Sequence, residues 1–346
     1  MNKNAMLQAK EKLDNLIKPI GSLGELENIA IKFAGITGKV ENQINKKAIV
    51  IFSSDNGVCE EGVASAPQSV TAMQTINFLR GITGIGVLAR VNNCDLKVID
   101  IGIKEEINYP GLIIKKIRKG TSNIARGEAM TIEEANEAIN TGIEIAYDLK
   151  KQGYDIIGTG EMGIGNTTSS SSVLIALTNC SIDEAVGRGA GLKDDQLTLK
   201  KQVIEKVIQI NSPIKEDPMD VLHKVGGFDI AGMVGLYLGA KKYELPIVID
   251  GYISAVAALI AYRIDPETKD YMFPSHISKE QGYNIAMNEL GLNPMLNLSM
   301  RLGEGSGCPL AINIIENSLK IINEMGTFEE GNVDIKDYKD LWREEI

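Results

Sequence analysis

The stretch that decides the fold is Ala48-Ile49-Val50-Ile51-Phe52-Ser53-Ser54-Asp55-Asn56-Gly57. Its first five residues are apolar and rich in β-branched side chains, which is typical of a strand buried on both faces of a sheet. The next five residues are polar and end on glycine, which indicates a loop that leaves the end of that strand. Strands buried on both faces occur mainly in parallel sheets covered by helices.

Further short apolar runs recur along the chain, and longer amphipathic segments separate them. The predicted strands are Ala48–Phe52, Leu96–Ile101, Asp155–Ile157, Ile247–Ile249 and Tyr271–Phe273. The main helical patterns between them are Ser69–Arg80, Ile132–Gln152, Leu197–Ile210, Ile230–Lys241 and Ile253–Tyr262. This alternation predicts an α/β fold, with a mostly parallel sheet and helices on both of its faces.

The two ends of the chain carry helical patterns without strands. Leu7–Ile17 and Glu25–Ile36 are amphipathic and are joined by a segment rich in glycine, and a third helical pattern follows Gly307. We therefore predict a small helical domain made of residues 1–40 and 307–346. Residues 41–306 would then form the large α/β catalytic domain.

Composition excludes several classes of protein. The 346 residues include 36 Lys and Arg against 46 Asp and Glu, a net charge of -10, which disfavours nucleic acid or an anionic membrane as partner. No apolar stretch is long enough to span a bilayer, and the charged start does not resemble a signal peptide. Four widely spaced cysteines suit a reducing compartment, so we expect a cytoplasmic protein, and two isolated histidines predict no metal site.

Polar turns that contain glycine or proline follow several of the predicted strands. They cover residues 53–57, 158–168, 250–252 and 274–278. Because open parallel sheets bind ligands at the carboxyl ends of their strands, these turns predict a binding site at that edge. Each turn alone is a weak signal, since any loop between a strand and a helix needs turn residues.

The turn at 158–168 contains a literal G-x-G-x-x-G pattern at Gly158, Gly160 and Gly163. One interpretation is a dinucleotide site, but Glu161 would stand where a pyrophosphate approaches. A single phosphate at the N-terminus of the following helix suits the turn better, with the polar residues 166–168 as extra donors. Lys200 or Lys201 would supply a positive charge, unless these lysines simply face solvent.

A second unusual segment is Met300-Arg301-Leu302-Gly303-Glu304-Gly305-Ser306-Gly307, in which one carboxylate lies among three glycines. Glycine permits close backbone approach and positive φ, so Glu304 can be withdrawn from bulk water. Burial raises the pKa of a carboxylate, which makes it a usable base near neutral pH. The alternative is an acidic residue in the first turn of the helix that follows.

Taken in order, several of these segments resemble nicotinate-nucleotide–dimethylbenzimidazole phosphoribosyltransferases, enzymes of cobamide lower-ligand synthesis. The segments are DNGVCEEGVA (55–64), PQSVTAMQ (67–74), RGITGIGVLA (80–89), GTGEMGIGNTT (158–168), KVGGFDIAGM (224–233), IDGYISA (249–255), PSHIS (274–278) and MRLGEGSG (300–307). The resemblance covers nearly the whole chain. It implies a doubly wound parallel sheet, a small helical domain from both chain ends, a homodimer, and neither a metal nor a redox cofactor.

The resemblance also implies a reaction and a set of residues. The 5-phosphoribosyl group of nicotinate mononucleotide passes to a benzimidazole, and nicotinate leaves. In the family pattern Glu304 is the general base and Glu161 is a second essential carboxylate. The remaining matches are Gly163, Asn166, Lys200 and Ser278 on the phosphate and ribose side, and Ala66, Gln74 and Leu302 in the base pocket.

Two positions depart from the family pattern. Ala66 stands where serine is usual before proline, and Asn56 stands in a segment that often reads Asp-His-Gly. Both changes leave the identity of the incoming base open, so a purine, another benzimidazole or a phenol is an alternative acceptor.

Two hypotheses from other classes stay open at this point. The first is an NAD(P) oxidoreductase that uses the G-x-G-x-x-G pattern. The second is a non-catalytic subunit that works with a related chain, although the retention of Glu161 and Glu304 argues against it.

Overall fold

The computed structural model describes residues 1–189 and 191–334. In this part of the chain six parallel strands form one sheet, in the order β3-β2-β1-β4-β5-β6. The strands are β1 (Lys47–Ser54), β2 (Asp95–Gly102), β3 (Leu112–Ile114), β4 (Ile156–Met162), β5 (Ile247–Ile249) and β6 (Met272–Pro274). The strand order reverses between β1 and β4, so the sheet is doubly wound, and the predicted α/β fold is confirmed.

Each predicted amphipathic pattern coincides with a helix of the structure to within a few residues, and the structure adds shorter helices that were not predicted. The described helices are α1 (Lys3–Asp14), α2 (Glu25–Thr37), α3 (Val70–Leu79), α4 (Gly84–Val91), α5 (Ile132–Lys151), α6 (Asn166–Thr178), α7 (Ile182–Ala185), α8 (Asp194–Asn211), α9 (Pro218–Val225), α10 (Phe228–Lys242), α11 (Tyr252–Ile264), α12 (Tyr283–Leu290) and α13 (Cys308–Glu324). Two 3₁₀ turns cover Gly57–Glu61 and Pro266–Tyr271. None of the helices within 1–189 and 191–334 is long and apolar enough to cross a lipid bilayer.

Helices cover both faces of the sheet, which two neighbouring residues of β4 demonstrate. Gly158 lies against Cys308 at the start of α13, whereas the Thr159 hydroxyl is 3.0 Å from the Tyr237 hydroxyl of α10. Successive residues of a strand point to opposite faces, so α13 and α10 lie on opposite sides of the sheet. All eight residues of β1 are buried between these layers, as the apolar opening run predicts.

The β4 strand is longer than predicted. Its sequence suggested a strand that ends at Ile157 and a glycine-rich turn after it, but β4 continues to Met162. A Cβ atom on Gly158 would come 2.6 Å from Cys308 Cβ, and one on Gly160 would come 2.9 Å from the Glu304 carbonyl oxygen. These glycines therefore allow α13 and the 303–307 loop to pack on the strand. Gly158 and Gly160 lie within the strand and do not form the turn of a dinucleotide site, so this sequence pattern no longer supports the NAD(P) hypothesis.

The predicted division into two domains is not settled by this arrangement. Helices α1, α2 and α13 share a small apolar cluster that contains Ala5, Leu13 and Ile322. However, α2 and α13 also contribute Phe33 and Ile312 to the main core. The separate helical domain stays a prediction, and its residues 335–346 lie outside the described residues.

Candidate active site

The carboxyl ends of the central strands border a cleft of about 360 Å³. The predicted site residues that line it are Ala66, Gln74, Glu161, Gly163, Asn166, Ser278, Leu302 and Glu304. The structure thus brings together segments that are up to 238 positions apart, from Ala66 to Glu304. A surface depression of about 760 Å³ lies beside Asn45, Tyr154 and Pro246, before the strands begin, and contains no predicted site residue.

Glu304 occupies an unusual backbone conformation at the wall of this cleft. Its φ is 63°, between Gly303 at 76° and Gly305 at 83°. A non-glycine residue in the left-handed region is costly and is often found at functional sites. Helix α13 begins four residues later, at Cys308, so Glu304 does not belong to its first turn. The alternative explanation of Glu304 as a helix-end acid is therefore wrong.

The Glu304 carboxylate is 8% exposed and only partly hydrogen-bonded. Oε1 accepts a 2.8 Å hydrogen bond from Gln74 Nε2, while Oε2 is buried without a hydrogen-bond partner among the described residues. Burial raises the pKa of Glu304, the Gln74 hydrogen bond opposes the shift, and the negative charge of Asp250 adds to it. A positioned carboxylate with a raised pKa and an unused oxygen suits a general base.

Asp250, at the end of β5, holds the loop that carries Glu304. Its Oδ2 accepts from Gly305 N at 2.9 Å, and its Oδ1 accepts from Gly307 N at 2.6 Å. Burial raises the pKa of Asp250, whereas His276, 4.0 Å away, favours the ionised form. Sequence reasoning marked the turn at 250–252 but gave Asp250 no role. An acidic residue directly after a buried strand was the signal available.

Glu161 lies near the end of β4 and is also buried. Its Oε2 accepts a hydrogen bond from Asn166 Nδ2, and its Oε1 accepts one of 3.3 Å from Glu304 N. Burial, and then the negative charge of Asp229, raise the pKa of Glu161 to about 8. The Asn166 amide also donates to Asp229 at 2.9 Å, so its NH₂ group is occupied within the protein. The Asn166 backbone N–H donates to the Gly163 carbonyl oxygen at 3.0 Å, so none of the N–H donors of Asn166 is left for a phosphate.

The other end of the cleft offers a buried cation. Lys200 Nζ donates to Thr167 Oγ1 at 2.9 Å, and Thr167 lines the cleft. Burial lowers the pKa of Lys200 to about 8, and the negative charge of Glu280 opposes this shift. Lys201, one residue further, instead forms a 2.6 Å ion pair with Asp183. The two lysines therefore face different surroundings, and only Lys200 lies next to the cleft wall.

Two of the three residues of the predicted base pocket, Ala66 and Leu302, are apolar. Ala66 is half-buried and lines the cleft, whereas Ser65 is exposed and does not line it. Leu302 is 54% exposed and forms part of the same wall. Asn56 is fully buried next to Gly163 and does not line the cleft.

Two buried carboxylates with raised pKa values and an apolar wall in one cleft, with a buried lysine behind Thr167, are features typical of an enzyme active site for a small molecule. A family model described as phosphoribosyltransferase matches residues 1–333. A protein of Clostridium perfringens named nicotinate-nucleotide–dimethylbenzimidazole phosphoribosyltransferase is 51% identical over 343 residues, 98% of this chain and 95% of that protein. A protein of the same name from Ruminiclostridium cellulolyticum is 52% identical over 341 residues, 99% of this chain and 96% of that protein.

A solved structure gives the same result. The crystal structure of CobT from Thermus thermophilus superimposes with a TM-score of 0.91 at 36% identity, covering 96% of this chain and 99% of that chain. The chain belongs to the nicotinate-nucleotide–dimethylbenzimidazole phosphoribosyltransferase family and is a phosphoribosyltransferase. The resemblance seen in the sequence is confirmed.

Proposed function

We propose that this enzyme transfers the 5-phosphoribosyl group of nicotinate mononucleotide to 5,6-dimethylbenzimidazole or a related base. The products are α-ribazole 5′-phosphate and nicotinate, for assembly of the cobamide nucleotide loop. The observation that carries the proposal is the position of Glu304, whose backbone N–H donates to Glu161 and whose Oε2 has no hydrogen-bond partner among the described residues.

The reaction needs one proton acceptor on the side of the incoming base. The unprotonated ring nitrogen of the azole attacks C1′, and the bond from C1′ to the pyridinium nitrogen breaks. The electron pair of that bond neutralises the pyridinium as nicotinate leaves, so the leaving side needs little acid assistance. The azole becomes cationic and loses the proton on its other nitrogen to Glu304, whose pKa is raised by burial.

Glu161 serves the ribosyl side. Its carboxylate holds a ribose hydroxyl and stabilises the positive charge that develops at C1′ in the transition state. Its pKa of about 8 means that it is largely protonated at neutral pH before the nucleotide binds. The pyridinium charge of the bound nucleotide favours the ionised form, so substrate binding and ionisation of Glu161 are coupled.

The phosphate group lies at the N-terminus of α6, where the helix dipole favours an anion. Lys200 supplies the positive charge beside Thr167, and a phosphate dianion raises the pKa of this buried lysine towards its usual value. Gly163 and Ser278 complete this end of the cleft, where the Ser278 hydroxyl already accepts from Glu280 N at 3.3 Å.

The incoming base lies between Ala66, Gln74 and Leu302. Gln74 Nε2 is used by Glu304, so the residue orients the catalytic base as well as lining the pocket. The small apolar side chain at Ala66 leaves the choice of base open among benzimidazoles, purines and phenols.

The direct test is to incubate the purified protein with nicotinate mononucleotide and a panel of bases, and to identify the products by mass. We expect the α-ribotide of at least one base together with free nicotinate. A folded protein that consumes no base would refute the proposal. Turnover that appears only after a related chain is added would favour the non-catalytic subunit instead.

The proposal includes a homodimeric, cytoplasmic enzyme that acts on small molecules and needs no metal or redox cofactor. Sedimentation velocity over a tenfold range of protein concentration tests the dimer. A monomer throughout that range would contradict it.

A further inference from the structure

Asp229 is a buried acid outside the substrate cleft. It lies in the first turn of α10, a helix that is buried along almost its whole length, and its side chain is fully inaccessible to solvent. Burying a carboxylate is costly unless specific partners stabilise it. The catalytic scheme above gives Asp229 no task, although its charge is the second cause of the raised pKa of Glu161.

The partners of Asp229 connect it to the active site. Its Oδ2 accepts a 2.9 Å hydrogen bond from Asn166 Nδ2, and the same amide nitrogen donates to Glu161 Oε2. A side-chain amide has two N–H donors, and these two carboxylates use both. The Asn166 amide is therefore clamped between Asp229 and Glu161, and it cannot rotate away without losing a buried hydrogen bond.

Two glycines allow the main chain to approach the Asp229 carboxylate closely. A Cβ atom on Gly163 would come 3.0 Å from Asp229 Oδ2 and 2.7 Å from Asn56 Nδ2. A Cβ atom on Gly227 would come 2.6 Å from Asp229 Oδ1. The main chain thus packs closely around the Asp229 carboxylate on both sides, and this packing restricts where its oxygens lie.

We propose that Asp229 is a positioning residue for Glu161, which acts by holding the Asn166 amide that orients the Glu161 carboxylate. The proposal rests on the ribosyl-side role of Glu161 given above. Glu161 also accepts from Glu304 N at 3.3 Å, so the same contacts place the Glu161 carboxylate next to the main chain of the loop that carries Glu304.

The test is a double-mutant cycle between Asp229 and Asn166, measured with nicotinate mononucleotide and the base that gives the highest turnover. We expect Asp229→Ala to lower kcat by about 10²-fold, the scale of a misplaced catalytic group, with little change in KM for the base. Asn166→Ala should cause a similar loss. The double variant should be no worse than either single one, within about twofold, because both break the same connection.

Two further variants separate positioning from stability. Asp229→Asn keeps an oxygen acceptor for Asn166, so it should recover most of the lost kcat. Asp100→Ala is the matched control: Asp100 is another buried acid at the carboxyl edge, paired with Lys116 at 3.3 Å, and it has no contact with Asn166. Its effect on kcat should multiply with that of Asn166→Ala. If Asp229→Ala does not fold, Asp229→Leu, which also lacks the acceptor, takes its place in the cycle.

The proposal would be overturned if the loss of kcat in the double variant equalled the product of the losses in Asp229→Ala and Asn166→Ala. An Asp229→Asn variant as slow as Asp229→Ala would also overturn it. Both results presuppose a wild-type protein that turns over. A wild type without transfer activity would refute the proposed function, so the two failures are distinguishable.

Discussion

Replacing Glu161 with glutamine should stabilise the protein at alkaline pH although it damages catalysis. The Glu161 side chain is 7% exposed, and its pKa rises from the usual 4.5 to about 8. The folded state therefore binds a proton that the unfolded chain releases at a lower pH. Between these two pKa values the unfolded state binds fewer protons than the folded state, so the free energy of unfolding falls as the pH rises through this range.

The size of this effect follows from the two pKa values. Each pKa unit corresponds to about 1.4 kcal/mol. Titration of Glu161 should therefore lower the free energy of unfolding of the wild type by about 4 kcal/mol between pH 5 and pH 9. Glutamine has no charge and removes this dependence. The variant still loses one hydrogen bond, because the glutamine NH₂ cannot accept from Asn166, and this loss of about 1–3 kcal/mol does not vary with pH.

The assay is urea unfolding of the wild type and of Glu161→Gln at several pH values between 5 and 9. The difference in the free energy of unfolding should move in favour of the variant as pH rises. Glu137→Gln, at an exposed position of α5, is the matched control and should show no such trend. A difference between wild type and Glu161→Gln that stays constant with pH would show that this carboxylate is not held protonated by its surroundings.

Three further substitutions test the assigned roles. Glu304→Gln should keep the fold and lower kcat by about 10²–10⁴-fold, the usual range for loss of a general base; unchanged turnover would remove Glu304 from that role. Lys200→Ala should raise KM for the nucleotide more than it lowers kcat, whereas Lys201→Ala should change little in the same steady-state assay; equal effects would mean that Lys200 is wrongly assigned. Ala66→Ser should change the product ratio when two bases compete, while Ser65→Ala should not; the reverse result would place the pocket one residue away.

Periodicity and residue type alone predicted the main architecture. The apolar run at 48–52 is a strand because it has no polar face, and the long helices follow from their amphipathic repeats. The short strand Leu112–Ile114 was missed, because three residues at the edge of a sheet, two of them half-buried and one exposed, show no readable periodicity. The end of β4 was misjudged, because glycines that permit close packing resemble glycines that form turns.

The two carboxylates that we propose as catalytic were also visible in the sequence, but the residues that hold them in place were not. Glu304 stands out because a carboxylate among three glycines is unusual, and Glu161 stands out within a glycine-rich segment. Asp229 and Asp250 gave no comparable signal. Asp229 is bound by Asn166, and Asp250 is bound by Gly305 and Gly307. These partners lie 55 to 63 positions away along the chain.

The sequence by itself determined an α/β enzyme of the phosphoribosyltransferase family, because periodicity, glycine placement and residue type act locally. The edge of the sheet and the residues that it indicated for the active site stay predictions. Only the tertiary structure decided which of two adjacent lysines is buried, and which groups clamp each carboxylate. Lys200 and Lys201 differ by about 100° around one helix, and the sequence does not state which side faces the cleft. The shifts in the pKa values depend on burial and on charges brought together from distant segments, so they arise only once the chain has folded.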